Sequence, residues 1–331
     1  MSPIAVIISD IHFNLSNLKL ASAALRQAVK KANELNVALW ITGDLHDTKA
    51  NLRAECLNEI IDILCLCNSR PIILVGNHDK VNEKSKDHAL TALDMYAEIV
   101  DRPRVTSNGT HFIPYQHDVD YLRSYIRDRV AKGSMLIMHQ GVKESYSGEY
   151  FNDRSAINIG DLAGLRIISG HYHQRQTIAL PNGGTLDYIG NPYTVNFGEA
   201  KDPEKGFQIL MDNRSLEFVP TNLRKHITLE YPASTVLNSK LNSYVSEGGN
   251  LIWIKISGSK EELQKITKDV VRRFADLHGD FRLELIPDET STTTPLAKLS
   301  KHDMLDSMID SLSNTSNERK SRLKDLWKSL A

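Results

Sequence analysis

With 331 residues the chain has room for one large α/β domain and a smaller second one, and its 41% hydrophobic and 24% charged content is that of an ordinary globular protein. A formal charge of -1 excludes bulk attraction to phosphate, so any nucleic-acid contact must come from local patches. No apolar run approaches the roughly 20 residues of a membrane span, and the opening Met1-Ser-Pro-Ile-Ala-Val carries no basic leader, which points to a cytoplasmic protein without membrane contact.

Residues 4–8 are all apolar, as in a strand covered on both faces, and they run into Ser9-Asp10-Ile11-His12. Two apart in an extended segment, Asp10 and His12 point the same way and can grip one ion. Leu18, Ala21, Leu25, Ala28, Val29, Ala32 and Leu35 fall at helical spacing, which predicts a helix over 18–35. A strand over 37–41 follows and ends in Thr42-Gly43-Asp44-Leu45-His46-Asp47; this βαβ rhythm predicts a parallel layer. The next helix is expected over 51–67. It holds all three cysteines, Cys56, Cys65 and Cys67, which are odd in number and lack a Cys or Cys/His pair to complete a zinc site, so buried reduced thiols are expected.

The β-branched run at 71–75 predicts a central strand, and Gly76-Asn77-His78-Asp79 after it sits where α/β folds place ligands, outside the carboxyl ends of strands. Residues 87–100 read as a further helix; its apolar stripe and that of 51–67 serve either the core or a dimer face. A hairpin is predicted over 104–115 around Ser107-Asn108-Gly109, then a helix over 121–131. Strands at 135–138 and 166–169 end in His139-Gln140-Gly141 and Gly170-His171-Tyr172-His173, where His171 and His173 repeat the spacing of Asp10 and His12.

Taken in order, Asp10-x-His12, Gly43-Asp44-x-x-Asp47, Gly76-Asn77-His78-Asp79, His139 and Gly170-His171-x-His173 resemble the motifs of the calcineurin-like metallophosphoesterase superfamily, over roughly residues 4–215. The resemblance implies an α/β fold, a two-sheet metallophosphoesterase sandwich flanked by helices, with the strands from Thr177 onward building the second sheet. It assigns Asp10, His12, Asp44 and His173 to one divalent ion and Asp44, Asn77, His139 and His171 to another. Nitrogen and oxygen ligands without thiolate admit Mn2+, Mg2+, Fe2+ or Zn2+. His78 takes the catalytic role, stabilising the transition state or protonating the leaving oxygen, with Asp47 fixing its orientation. His46 receives no role.

Tyr188-Ile-Gly190-Asn191-Pro192-Tyr193, then Phe197, Glu199 and Lys205-Gly206-Phe207, resemble the segment after the last metal motif in SbcD-type recombination and repair nucleases, although Asn191 stands where Ser or Thr is commoner. This narrower resemblance implies a DNA exo/endonuclease using Mn2+, partnered by an SbcC-like ABC-type ATPase with a coiled coil. It also implies a homodimer through the helices at 51–67 and 87–100, and the host cytoplasm if the protein is phage-encoded. A phosphatase or small-molecule phosphodiesterase of the same fold, or a non-catalytic scaffold subunit, remain open alternatives.

The expected organisation is a nuclease domain over 1–222, a small α/β capping, DNA-binding domain over 223–287, a polar linker over 288–295 and a helical ATPase-binding tail over 296–331. The capping unit reads as strands at 227–231 and 251–256, a helix over 260–277 and a strand at 281–286. Lys260, Lys265, Lys268, Arg272 and Arg273 on that helix either meet phosphates or form a solvated face diluted by Glu261, Glu262 and Asp269. In the tail, the stripes ending at Leu312 and Leu330 are large enough to need a partner surface.

Overall fold

The computed structural model describes residues 1–47, 49, 51–145, 153–202, 204–241, 249–275, 277, 280–288 and 320. The chain opens with β1 (Pro3–Ile8), α1 (Leu18–Leu35), β2 (Ala38–Ile41), α2 (Ala54–Leu64), β3 (Ile72–Leu74) and β4 (Glu98–Val100). The four strands lie side by side and parallel. Alternation decides what each face of β1 meets: Val6 and Ile8 pack with α1 and α2, whereas Ala5 and Ile7 join a second core on the other side. With both faces covered, an all-apolar strand is what the position demands. α1 buries Ala21, Leu25, Ala28, Val29 and Ala32, and stops where Asn36 turns left-handed and its N–H reaches back to the carbonyls of Ala32 and Asn33.

Residues 87–100 are not the predicted helix. A single 3-10 turn, Ala89–Leu93, buries Leu90 and Leu93, and the chain then extends as β4, pairing along β3. Edge pairing to β3 satisfies the backbone of Glu98, Ile99 and Val100, and this tertiary gain overrides the helical spacing. The helix expected over 51–67 is shorter, and its stripe of Cys56, Ile60, Ile63 and Leu64 is spent on the core. The two-helix face expected to carry a homodimer is therefore not formed by these segments. Cys56 is buried as expected, but Cys65 is exposed and Cys67 half-buried, because both lie beyond the end of α2.

A second sheet contains β5 (Arg104–Val105), β6 (His111–Ile113), β7 (Met135–His139), β8 (Arg166–Gly170), β9 (Gln176–Ala179) and β10 (Thr185–Tyr188), in the order β5-β6-β7-β8-β10-β9, with α3 (Val119–Arg129) following β6 in the chain. It therefore begins at Arg104, well before Thr177. The expectation for the later strands is corrected too: β11 (Gly206–Met211) and β12 (Leu216–Pro220) return to the first sheet, antiparallel beside β1, giving β12-β11-β1-β2-β3-β4. Phe207 and Ile209 thereby cover the α1 side of that sheet while Leu210 faces the other. Between the two sheets Ile7, Leu74, Phe112, Ile137 and Ile168 are fully buried, and Trp40 meets Phe112 edge-on at 5.0 Å. Each such side chain contributes roughly 1.5–3 kcal/mol of transfer free energy.

A third, all-parallel sheet follows, β13 (His226–Pro232), β14 (Leu251–Gly258) and β15 (Phe281–Pro287), in that order. α4 (Ala233–Asn238), α5 (Lys260–Leu263) and α6 (Lys268–Ala275) pack on one face, against Ile252, Ile254 and Ile256. The single helix predicted over 260–277 is two, the first started by a reciprocal Ser259–Glu262 capping box, and α4 was not foreseen. Apart from Asp288 and Lys320, the expected linker and tail lie outside the described residues. Among the described residues, no helix is long and apolar enough to cross a membrane.

Candidate metal centre

Five strands, β1, β2, β3, β7 and β8, end at the same pole, and the segments leaving them carry every residue expected to bind metal. The turns are locked to one another through the backbone. Asp10 N–H donates to the carbonyl of Gly43 at 3.1 Å and His12 N–H to that of Asp44 at 3.0 Å. The N–H of His78 donates to Asp44 Oδ1 at 2.8 Å, and that of His171 to the Asp10 carboxylate at 3.1 Å. Asp10, His12, Asp44 and His171 all hold left-handed backbone, φ between 50° and 92°. Such conformations persist in non-glycine residues only where surrounding bonds over-determine them, and they gather at functional sites. Gly43 has φ of 102°, and a Cβ there would lie 2.3 Å from His139 Nδ1, so only glycine admits the buried imidazole.

Each of four histidines turns one ring nitrogen inward, and in three of them the other is hydrogen-bonded outward. His139 Nδ1 donates to the carbonyl of Thr42 at 2.7 Å, His171 Nε2 to Asp153 Oδ2 at 3.0 Å and His173 Nδ1 to Glu199 Oε1 at 2.7 Å, while His12 Nδ1 faces Asp47 Oδ1 at 3.4 Å. These contacts orient the rings and turn their other nitrogens inward. His12 Nε2 then faces His173 Nε2 at 3.0 Å. His139 Nε2 and His171 Nδ1 lie 3.1 and 3.0 Å from Asn77 Oδ1, and Asp44 Oδ2 is 3.2 Å from His139 Nε2 and 3.9 Å from His12 Nε2. Imidazole nitrogens, a carboxylate and an amide oxygen converging in this way fit divalent metal, with Asp44 placed to serve both halves. Burial works against ionisation of Asp44, yet the neighbouring His139 holds its carboxyl well below the usual range.

The structure brings Asp10, His12, Asp44, Asn77, His139, His171 and His173 together, in groups whose donor atoms lie within 4.8 Å of one another. His78 stands beside them, its ring edge-on to His12 with centroids 4.8 Å apart. Asp47 meets His78 through its main chain. Its backbone carbonyl accepts from His78 Nδ1 at 2.7 Å, while its carboxylate is turned to His12 and takes a hydrogen bond from Asn14 Nδ2 at 2.9 Å. The short turn after Asp44 leaves the main chain nearer to His78 than the side chain. His46 is buried, and loss of hydration pushes its imidazole down to about 4.

Four supporting residues were not assigned roles from the sequence. Asp153 anchors His171 from outside every recognised motif. Glu199 stands in the recognised nuclease-like segment, and the geometry shows its part there: it anchors His173 and is itself held by Asn191 Nδ2 at 3.0 Å and Lys205 Nζ at 3.4 Å. Burial would raise the Glu199 carboxyl, but His173 and Lys205 bring it down to about 2. Asp79 bonds the N–H groups of Gly76 and His46, both at 2.9 Å, tying two of the loops together. Burial and the nearby Asp44 push its carboxyl up to about 7. Asn17 Nδ2 braces the carbonyl of His12 at 2.8 Å from the start of α1.

Two sheets delivering an Asp, Asn and His cluster of this kind to one pole define a metal-dependent phosphoester hydrolase. The family model for calcineurin-like phosphoesterases matches residues 5–175, and the chain belongs to that family. Exonuclease subunit 1 of Enterobacteria phage T4 is 21% identical over 220 residues, 63% of each chain; the protein thus spans under two thirds of that relative. Among solved structures, a dimetal phosphatase from Danio rerio, 12% identical, aligns with a TM-score of 0.40 over 63% of this chain and 92% of its own.

Proposed function

We propose that the protein is the nuclease subunit of an SbcCD-like recombination and repair complex, hydrolysing DNA phosphodiester bonds with Mn2+. The hydrolase part of this reading rests on one observation, the inward ring nitrogens of His12, His139, His171 and His173 converging on one another, Asn77 and Asp44 at 3.0 to 3.2 Å. DNA as substrate is supported by the likeness to a phage exonuclease subunit and by Asn191, Glu199 and Lys205, which belong to the nuclease-like segment and brace His173 as one network.

Two divalent ions, one at Asp10, His12, Asp44 and His173 and one at Asp44, Asn77, His139 and His171, supply the Lewis acidity that phosphoester hydrolysis needs. The chain's own groups do the rest. His78 has Nδ1 committed to the Asp47 carbonyl, so Nε2 is the nitrogen left to hydrogen-bond the phosphate or pass a proton to the departing oxygen. Asp47 holds that ring through its main chain and steadies His12 through its side chain.

The ATPase partner belongs to the same reading, docked by the helical tail over 296–331, and so does a homodimer, whose contact must use residues other than the buried stripe of α2. The decisive experiment gives the purified protein linear duplex DNA, single-stranded DNA and cyclic nucleotides with Mn2+, with and without an SbcC-like ATPase. Cleavage of DNA is expected; turnover of cyclic nucleotides alone would replace the nuclease by a small-molecule phosphodiesterase. Truncation after Pro295 is expected to keep nuclease activity and melting temperature while abolishing ATPase binding. Unchanged binding would remove the tail from the interface.

A further inference from the structure

In a two-sheet sandwich the inward positions of facing strands are the apolar ones. Here that rule holds in the middle, at Ile7, Ile137, Ile168 and Leu210, and breaks along one seam. Where β10 and β9 face β11 and β12, the inward residues of the second sheet are Arg166, Thr177, Thr185 and Asp187, and opposite them stand Gln208 and Phe218. The sheets do not close over these side chains. They leave a cleft of about 600 Å³, within the range of small-molecule sites. It extends to the ends of β8 and β10 opposite the histidines, where Gly133, Gly164 and the turn carrying Arg214 border it.

Two features show that this seam is more than a gap between edges. Gln208 is only 3% exposed and lines the cleft. Its side-chain amide offers that cleft both a donor and an acceptor. The second feature is charge. Three guanidiniums line the cleft against one carboxylate: Arg166 pairs with Asp187 at 2.6 Å, Arg175 pairs with Glu204 and lies over the Phe218 ring, and Arg214 reaches the carbonyl of Gly133 at 2.6 Å with no acidic partner among the described residues. Guanidinium forks suit phosphate, and a glutamine amide suits the paired donor and acceptor edge of a purine base.

We propose that this inter-sheet seam is a second ligand site, separate from the metal centre, that takes a nucleoside monophosphate with its phosphate at Arg214 and its base at Gln208. The inference does not depend on DNA being the substrate. Calorimetric titration of the Mn2+-loaded full chain with dAMP, 2′-deoxyadenosine and inorganic phosphate tests it. dAMP should bind more tightly than either fragment, and that binding should survive His139→Ala. Arg214→Asn, which keeps a residue tolerant of the left-handed backbone found there, should weaken it by roughly tenfold or more, as loss of a charged hydrogen bond does. Gln208→Leu should weaken it too, and because this change touches the core, the surface variant Arg214→Asn carries the test if the Leu variant does not fold. No binding at millimolar dAMP, inorganic phosphate binding as tightly as dAMP, or binding lost in His139→Ala but kept in Arg214→Asn would each overturn the proposal.

Discussion

The two halves of the candidate metal centre differ in how their most and least buried histidines are held. In the half formed by Asn77, His139 and His171 with Asp44, the His139 side chain is 0% exposed and held by a main-chain carbonyl, that of Thr42. In the half formed by Asp10, His12 and His173 with Asp44, the His173 side chain is 32% exposed and held by a carboxylate, Glu199, that comes from a late segment of the chain and needs Asn191 and Lys205 to stay in place. A carbonyl anchor cannot be removed by substitution and belongs to the sheet itself. A carboxylate anchor raises the basicity of its imidazole and can be lost by one change. The hold on His139 is thus a property of the fold, whereas His173, like His171 with its Asp153 anchor, depends on a side chain added to it.

The largest expected effect is at the deep half. His139→Ala removes an inward ring nitrogen that nothing else replaces, and the variant is expected to lose both metal and hydrolysis, read by elemental analysis and by rate. Full activity in this variant would remove His139 from the site. Next in size, His78→Ala is expected to lower turnover by roughly 10²–10⁴-fold, the range for an acid-base group, while elemental analysis finds metal content unchanged. A parallel loss of metal would instead make His78 a ligand.

Glu199→Gln breaks the exposed half more gently. The amide can still accept from His173 but has no charge, so metal affinity is expected to fall by roughly 10–100-fold, confined to one of two binding steps in a titration. A uniform weakening of both steps would dissolve the distinction between the halves. The smallest effect belongs to Asp47→Ala. Because the main-chain carbonyl, not the carboxylate, receives His78 Nδ1, turnover at saturating metal is expected to fall by less than roughly tenfold, well short of the loss that a missing acid-base group brings. A loss as large as that of His78→Ala would restore the carboxylate as the orienting group.

Several of these distinctions were open to reading before any coordinates. The runs before Asp10, Asp44 and Asn77 are apolar on both faces, which is a local signal of a central parallel strand, and the polar residues after them fall at strand ends by chain order alone. His12 and His173, like His139 and His171, follow from the same logic. The nuclease-like segment was legible as a pattern too, though not the hydrogen bonds by which Glu199 serves His173.

What the sequence determined by itself is the placing of Asp, Asn and His residues at strand ends and the parallel layer that carries most of them, because hydrophobic periodicity and turn chemistry act over a few residues. Tertiary structure alone decided the rest. Residues 87–100 keep helical spacing but give it up for pairing to β3, and β11 joins β1 across some two hundred residues of chain, a choice of sheet edge that alternation cannot encode. Asp153 reaches His171, and the Asp47 main chain rather than its carboxylate reaches His78, for the same reason. These contacts depend on where distant backbones come to rest once the cores on either side of each sheet have closed.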